Sequence, residues 1–116
     1  MMITVEEVRA LALALPGTEE QEHWDKPSFR VNNKIYAVLQ EDGISLLVKT
    51  TKEERAAFTT LDPEVYAVPA NYSTLNYMLI RMDRVKPGEC RDLLVQSWRL
   101  VSPKRIVAAY DASRRA

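Results

Sequence analysis

The only histidine and the only cysteine of this 116-residue chain, His23 and Cys90, are the first candidates for catalysis. An imidazole can act as a general base or hold a metal, and a thiolate can attack an electrophile. Glu20 and Glu22 are near His23, but on a strand they would share one face while His23 points to the other. Cys90 falls on the apolar side of a predicted helix, which favours a small buried hydrophobe over a nucleophile. We therefore predict no catalytic residue and no enzymatic activity; an enzyme centred on His23 is the alternative.

The glycines and the cysteine argue against a cofactor. The three glycines, Gly17, Gly43 and Gly88, are too far apart in the sequence to form a loop that cradles phosphate. A single cysteine excludes an internal disulfide and a cysteine-rich metal site. We predict no cofactor and no bound metal.

Basic and aromatic residues are interleaved around the predicted hairpins. The cations are Lys26, Arg30, Lys34, Lys49 and Arg81, and the aromatic residues among them are Trp24, Tyr36 and Tyr77. Such side chains on a β-ribbon can contact phosphates and stack on bases. The alternative is an ordinary solvated surface on which the cations pair with neighbouring carboxylates. The balance of 16 basic and 16 acidic residues favours this alternative, because no net charge attracts a polyanion.

Short apolar runs separated by turn residues predict an antiparallel sheet. Three consecutive strands are expected between residues 23 and 50, with tight turns at Asn32-Asn33 and Asp42-Gly43. A weakly alternating run over 18–24 predicts a charged edge strand, which Pro27 interrupts.

The second hairpin has a predictable register. A two-residue type I′ turn at Asp42-Gly43 pairs Leu39 with Leu46 across the strands. One face of this hairpin is then apolar and is predicted to face the core; its residues are Ile35, Ala37, Leu39, Ile44, Leu46 and Val48.

The first hairpin allows two registers. A two-residue Asn32-Asn33 turn would place Arg30 beside Ile35 on the apolar face, and asparagine tolerates the positive φ that such a turn needs. A three-residue loop with a bulge would instead bring Phe29 and Val31 into the core, which the hydrophobic pattern favours. Both registers remain open at the level of sequence.

Helix boundaries and the order of elements complete the predicted fold. The boundary signals are a capping box at Thr4 and Glu7, a stop at Pro16-Gly17, a cap at Thr50 or Thr51 with Glu53 or Glu54, a start at Pro87 and a break at Ser102-Pro103. The run over 75–82, apolar on both sides, predicts an interior strand. We expect one α+β domain over residues 1–112, with helices on one face of the antiparallel sheet and a frayed tail over 113–116. The helical residues expected over the sheet are Leu11, Leu15, Leu93 and Leu100.

The ends and the hydropathy of the chain bear on its location. The first residues of the sequence lack the basic region and the long apolar run of a signal peptide. No apolar stretch approaches the roughly 20 residues that span a bilayer. With a single cysteine, these features predict a soluble, cytoplasmic protein without a membrane partner.

Several segments in a fixed order carry a family resemblance. They are Leu15-Pro16-Gly17, residues 26–31, 34–37, 45–49, 77–85 and 97–105. In these segments the chain resembles the MmcQ/YjbR family of small bacterial proteins, although Asn76-Tyr77 stands where the family often has Gly-Trp. The resemblance implies a small α+β fold related in shape to frataxin-like and secretion-chaperone-like proteins. Its members are commonly proposed to bind DNA with two hairpins acting as wings.

The residues and the resemblance together lead to two functional hypotheses. The first is a non-enzymatic protein that binds double-stranded DNA weakly through the hairpin cations. The second is a protein-interaction or homodimerisation module that uses an exposed sheet face and has no role with nucleic acid.

Overall fold

The architecture is taken from a computed structural model that describes residues 2–70 and 74–115. Its elements are α1 (Val5–Ala14), β1 (Thr18–His23), β2 (Lys26–Val31), β3 (Lys34–Leu39), β4 (Ser45–Lys49), α2 (Lys52–Leu61), β5 (Tyr66–Ala67), β6 (Tyr77–Arg81), α3 (Pro87–Val101) and α4 (Lys104–Arg115). The strands form one antiparallel sheet in the order β1-β2-β3-β4-β6-β5. The α+β prediction is confirmed, including the interior position of β6.

The helices begin where the local sequence predicts. The Thr4 hydroxyl accepts from the amide of Glu7, and Thr51, rather than Thr50, caps α2 by accepting from Glu54. Pro87 is the first residue of α3, where the missing amide has no intrahelical partner to lose. The last helix runs to Arg115, beyond the predicted start of the tail, and Arg114 lies 5.4 Å from the centre of the Tyr110 ring.

The β3–β4 hairpin has the predicted register but a different turn. Leu39 pairs with Leu46, as expected. The strands close at Gln40 and Ser45, whose backbone hydrogen bond is 3.0 Å, so residues 41–44 form a four-residue loop instead of a two-residue turn. Within that loop, Asp42 Oδ1 accepts from the amide of Ser45 at 2.8 Å. Both loops give the same pairing of the strands, so the core face is unaffected.

The β2–β3 hairpin combines the two registers that the sequence leaves open. Val31 pairs with Lys34 across a two-residue turn, yet Phe29 and Val31 are buried. A β-bulge reconciles them: Phe29 pairs with Ala37 and Arg30 with Ile35, so Tyr36 has no partner on β2. The bulge moves Ile35 off the core face, and its predicted place in the core is therefore wrong.

Helices α1 and α3 cover one face of the sheet. The core beneath them contains Leu15, Leu46, Val48, Leu93 and Trp98, and also Val8, Ala12, Phe29, Val31, Tyr36, Met78, Ile80 and Leu94.

Two further predicted core residues lie elsewhere. Leu100 is 43% exposed, because the buried arc of α3 extends towards Trp98 instead. The indole of Trp98 is buried and donates to the carbonyl of Pro16 at 2.8 Å. Ile44 is half-exposed, because it belongs to the four-residue loop rather than to β4.

Leu46→Ala tests the assignment of the core face. Leu46 is fully buried, so the truncation should lower the free energy of unfolding by about 2–5 kcal/mol in urea denaturation. The matched control is Leu61→Ala, at a leucine that is 82% exposed, where the change should stay within about 0.5 kcal/mol. Equal effects of the two substitutions would show that the sheet faces are assigned wrongly.

Candidate functional site

The face of the sheet opposite α1 and α3, here called the outer face, has an apolar row at its centre. Residues directly opposite each other on neighbouring strands lie on the same face. This places Val38 beside Leu47 and Leu47 beside Leu79, and these three residues form what we call the apolar stripe. Val38 and Leu47 are more than nine-tenths buried although helices pack on the other face.

Cations lie on both sides of the apolar stripe. On one side, Arg81 pairs with Ser45, and Lys26 lies two residues before Ser28, the partner of Val38. On the other side, Arg30 pairs with Ile35 and Lys49 pairs with Tyr77. The sheet thus brings four of the five predicted cations to one face, although they come from strands far apart in the sequence; they are Lys26, Arg30, Lys49 and Arg81.

These four cations differ in what neutralises them. Arg81 binds Asp83 through two hydrogen bonds of 2.9 and 2.7 Å, which raise the pKa of Arg81 and lower that of Asp83. The Arg30 guanidinium donates to neutral groups, including the Asn33 side chain at 3.0 Å. Among the described residues, no carboxylate lies within 4.0 Å of the charged nitrogens of Lys26, Arg30 or Lys49. Three cations of this face therefore keep their charge available.

Two predicted site residues are not on the outer face. Lys34 pairs with Val31, a core residue, at the end of the hairpin, and its side chain is exposed there. Tyr36 is fully buried, and its hydroxyl donates to the carbonyl of Ala12 at 3.3 Å and lies 3.0 Å from the Thr18 hydroxyl. Burial raises the pKa of Tyr36 to about 12. The prediction that Tyr36 stacks on a base is therefore wrong, because the bulge turns this side chain into the core.

A groove of about 290 Å³ opens on the outer face, and we call it the outer groove. It is lined by His23, Trp24, Lys26, Ile35, Val38, Gln40, Leu47, Leu75 and Tyr77. Tyr77 is held there by a hydrogen bond from its hydroxyl to the Ile35 carbonyl at 3.4 Å and by the Lys49 ammonium, 5.2 Å from its ring centre. The groove therefore combines an apolar floor with an aromatic wall and nearby cations.

Trp24 is the most exposed large side chain at the outer groove. It is 82% exposed and begins a two-residue turn in which Trp24 has φ 55° and Asp25 has φ 64°. A bulky residue is rarely found at positive φ, where asparagine or glycine is favoured. The turn contains neither residue, so the sequence carries no signal for it. The prediction that Pro27 interrupts the strand is wrong, because Pro27 lies within β2 and pairs with Glu22.

The two residues considered for catalysis have different surroundings. The His23 ring lies 6.2 Å from that of Trp24, edge to face. Glu20 pairs with Arg9 of α1 at 2.9 Å, consistent with its predicted place on the opposite face from His23. Cys90 is fully buried, and burial raises the pKa of its thiol to about 12, so it is the buried hydrophobe that the sequence predicts. Within the part of the chain that the structure describes, no three His, Cys, Asp or Glu side chains are grouped to hold a metal ion.

Trp24→Asn tests whether the turn is strained. Asparagine adopts positive φ readily, so the free energy of unfolding should rise by about 1 kcal/mol, measured by circular dichroism in urea. The matched control is Asn32→Trp, because Asn32 holds the same position, with φ 49°, in the next hairpin. That substitution should lower stability by a similar amount. A loss of stability in Trp24→Asn would show that the indole stabilises the fold.

Comparisons with known proteins agree with this architecture. A family model described as YjbR matches residues 13–100. A solved structure, that of Deinococcus radiodurans protein DR2400 with family-model domain DUF419, is similar at a TM-score of 0.78 and 23% identity. The similarity covers 89% of this chain and 81% of that one, and at this identity it concerns the fold alone.

No curated protein matches the chain. None of the helices in the described ranges is both long and apolar enough to cross a membrane. Since the family model covers most of the sequence, the chain belongs to the YjbR family.

Proposed function

We propose that this protein is a non-enzymatic binding protein that contacts DNA weakly through the outer face of its sheet. The observation that carries the proposal is the position of Lys26, Arg30 and Lys49 around the apolar stripe, with no described carboxylate within 4.0 Å of their charged nitrogens. Cations without a carboxylate partner can exchange their counterions for phosphates, which supplies most of non-specific affinity.

The charge of the whole chain limits the strength of this binding. Sixteen basic and sixteen acidic residues cancel, so attraction acts only at short range, near the outer face. Glu19 lies directly opposite Arg30 on the neighbouring strand, so its carboxylate is on the outer face. This negative charge reduces the net positive charge of the outer face further. Three cations would give a slope of log K against log salt near −3 at most. We therefore expect binding that is measurable at low salt and weak at physiological salt.

The non-enzymatic part of the proposal rests on the surroundings of the reactive groups. Cys90 is a buried thiol with a raised pKa, which is the opposite of what a nucleophilic cysteine requires. Glu20 and Glu22, two carboxylates close to His23 in the sequence, lie on the other face of β1.

A second candidate function is protein interaction through the same face. The observation that favours it is the exposed apolar surface at the outer groove, where Trp24 is 82% and Leu75 50% exposed. Aromatic anchors of this kind are common at the centres of protein interfaces. A second copy of the chain covering the groove would appear as a dimer in size-exclusion chromatography, and Trp24→Asn would dissociate it.

The DNA proposal is tested by fluorescence anisotropy with a labelled duplex over a range of salt concentrations. Replacing Lys26 and Lys49 together by Ala should weaken binding at low salt and reduce the slope of log K against log salt by about 2. The matched control replaces Lys86 and Lys104 by Ala, which removes the same charge from exposed positions at the starts of α3 and α4. No binding at low salt, or equal losses in the two variants, would contradict the proposal.

A further inference from the structure

We infer that the outer groove takes an unpaired base, so that the protein binds single-stranded DNA in preference to the duplex. The inference rests on the proposed function and names the form of nucleic acid that the same face recognises. It follows from the size of the groove, from the position of the cations around it and from the properties of Trp24.

The size of the outer groove matches one ring system. Its volume of about 290 Å³ is just below the roughly 300–1,000 Å³ found for small-molecule sites. Val38 and Leu47 form an apolar floor, while Trp24 and Tyr77 contribute aromatic surface to the lining. A base within a duplex is stacked on both sides and paired at its edge, so it cannot enter such a groove. An unpaired base can enter and stack, since every base has an apolar face.

The charges around the groove favour a nucleotide over an aromatic side chain of a protein partner. Lys26 lines the groove directly, and the Lys49 ammonium lies against Tyr77 at its wall. Lys26 and Lys49 lie on opposite sides of the apolar stripe, as the strand pairing places them. Within a strand, the sugar of the bound nucleotide is joined to one phosphate on each side. Cations on both sides of the groove are therefore complementary to these two phosphates. A protein side chain would leave these cations unmatched.

Trp24 is placed at a cost to the fold that a ligand contact would explain. Its indole is 82% exposed and its backbone has φ 55°, so neither burial nor backbone preference accounts for a tryptophan in this turn. Observed strain of this kind clusters at ligand-binding sites. The indole lines the outer groove, where it offers a large rigid surface for stacking. Its side chain has few rotatable bonds, so little conformational entropy is lost when a ligand binds.

The experiment measures anisotropy at low salt with three labelled probes. They are an oligothymidylate of about eight nucleotides, within the span of known single-strand sites, an abasic strand of the same length and a duplex. Stacking of one base contributes about 1–3 kcal/mol, so the oligothymidylate should bind roughly 5- to 150-fold more tightly than the abasic strand. The duplex should bind about as weakly as the abasic strand.

Variants at Trp24 separate base stacking from folding. Trp24→Asn should reduce oligothymidylate binding to the abasic level while leaving abasic binding unchanged, and Trp24→Phe should restore part of the difference. Because Trp24→Asn is expected to stabilise the fold, unfolding cannot produce this loss. A thermal melt of each variant verifies that it is folded at the temperature of the assay.

The outcomes distinguish this inference from the proposed function. Equal binding of all three probes would overturn the inference and leave the proposed function standing, because phosphate contacts alone would suffice. No binding of any probe at low salt would overturn both. Unchanged oligothymidylate binding by Trp24→Asn, together with loss of a dimer in size-exclusion chromatography, would overturn the inference and assign the groove to a second copy of the chain.

Discussion

The β-bulge at Tyr36 is the feature on which both faces of the sheet depend. In a regular hairpin, a tight turn at Asn32-Asn33 cannot bury Phe29 and Val31 on the same face as Ala37 and Leu39, because side chains alternate strictly between faces. Tyr36 is the extra residue on β3. It shifts the pairing by one position, so that Phe29 pairs with Ala37 and both face the core. Tyr36 itself turns inward, where its hydroxyl is hydrogen-bonded to Thr18 and to the backbone of α1. The bulge is therefore held by contacts with two other elements.

The same bulge determines the composition of the outer face. It places Arg30 and Ile35 opposite each other away from the helices, in line with the row that contains Lys49 and Tyr77. An antiparallel sheet can leave one face without helices, provided that this face tolerates solvent. Here Val38 and Leu47 are buried despite lying opposite the core, and Lys26, Ile35 and Tyr77 line the same groove. The residues around the apolar stripe are also those of the proposed binding surface.

The free edge of the sheet and the proposed ligand contact lie at different parts of the β1–β2 hairpin. Glu20 and Glu22 lie on β1, which is an edge strand of the sheet. Charged side chains on an edge strand discourage pairing with another chain. The strand ends at His23, after which the turn projects Trp24 over the outer groove. Backbone preference would favour a different residue at this position, and the proposed stacking on a base would give a reason for a tryptophan there.

Helix boundaries, the register of the second hairpin and the burial of Cys90 were determined by the sequence itself. Capping at Thr4 and Thr51 involves residues three positions apart, and the pairing of Leu39 with Leu46 is the same for either loop length. Three features were decided only by the tertiary structure: the bulge, the turn at Trp24, and the burial of Trp98 rather than Leu100 in the core. Each depends on packing between distant elements. The same holds for the site. The sequence predicted its cations, but only the sheet order β2-β3-β4-β6 brought four of them to one face, because packing of the opposite face against α1 and α3 determines which residues of each strand point outward.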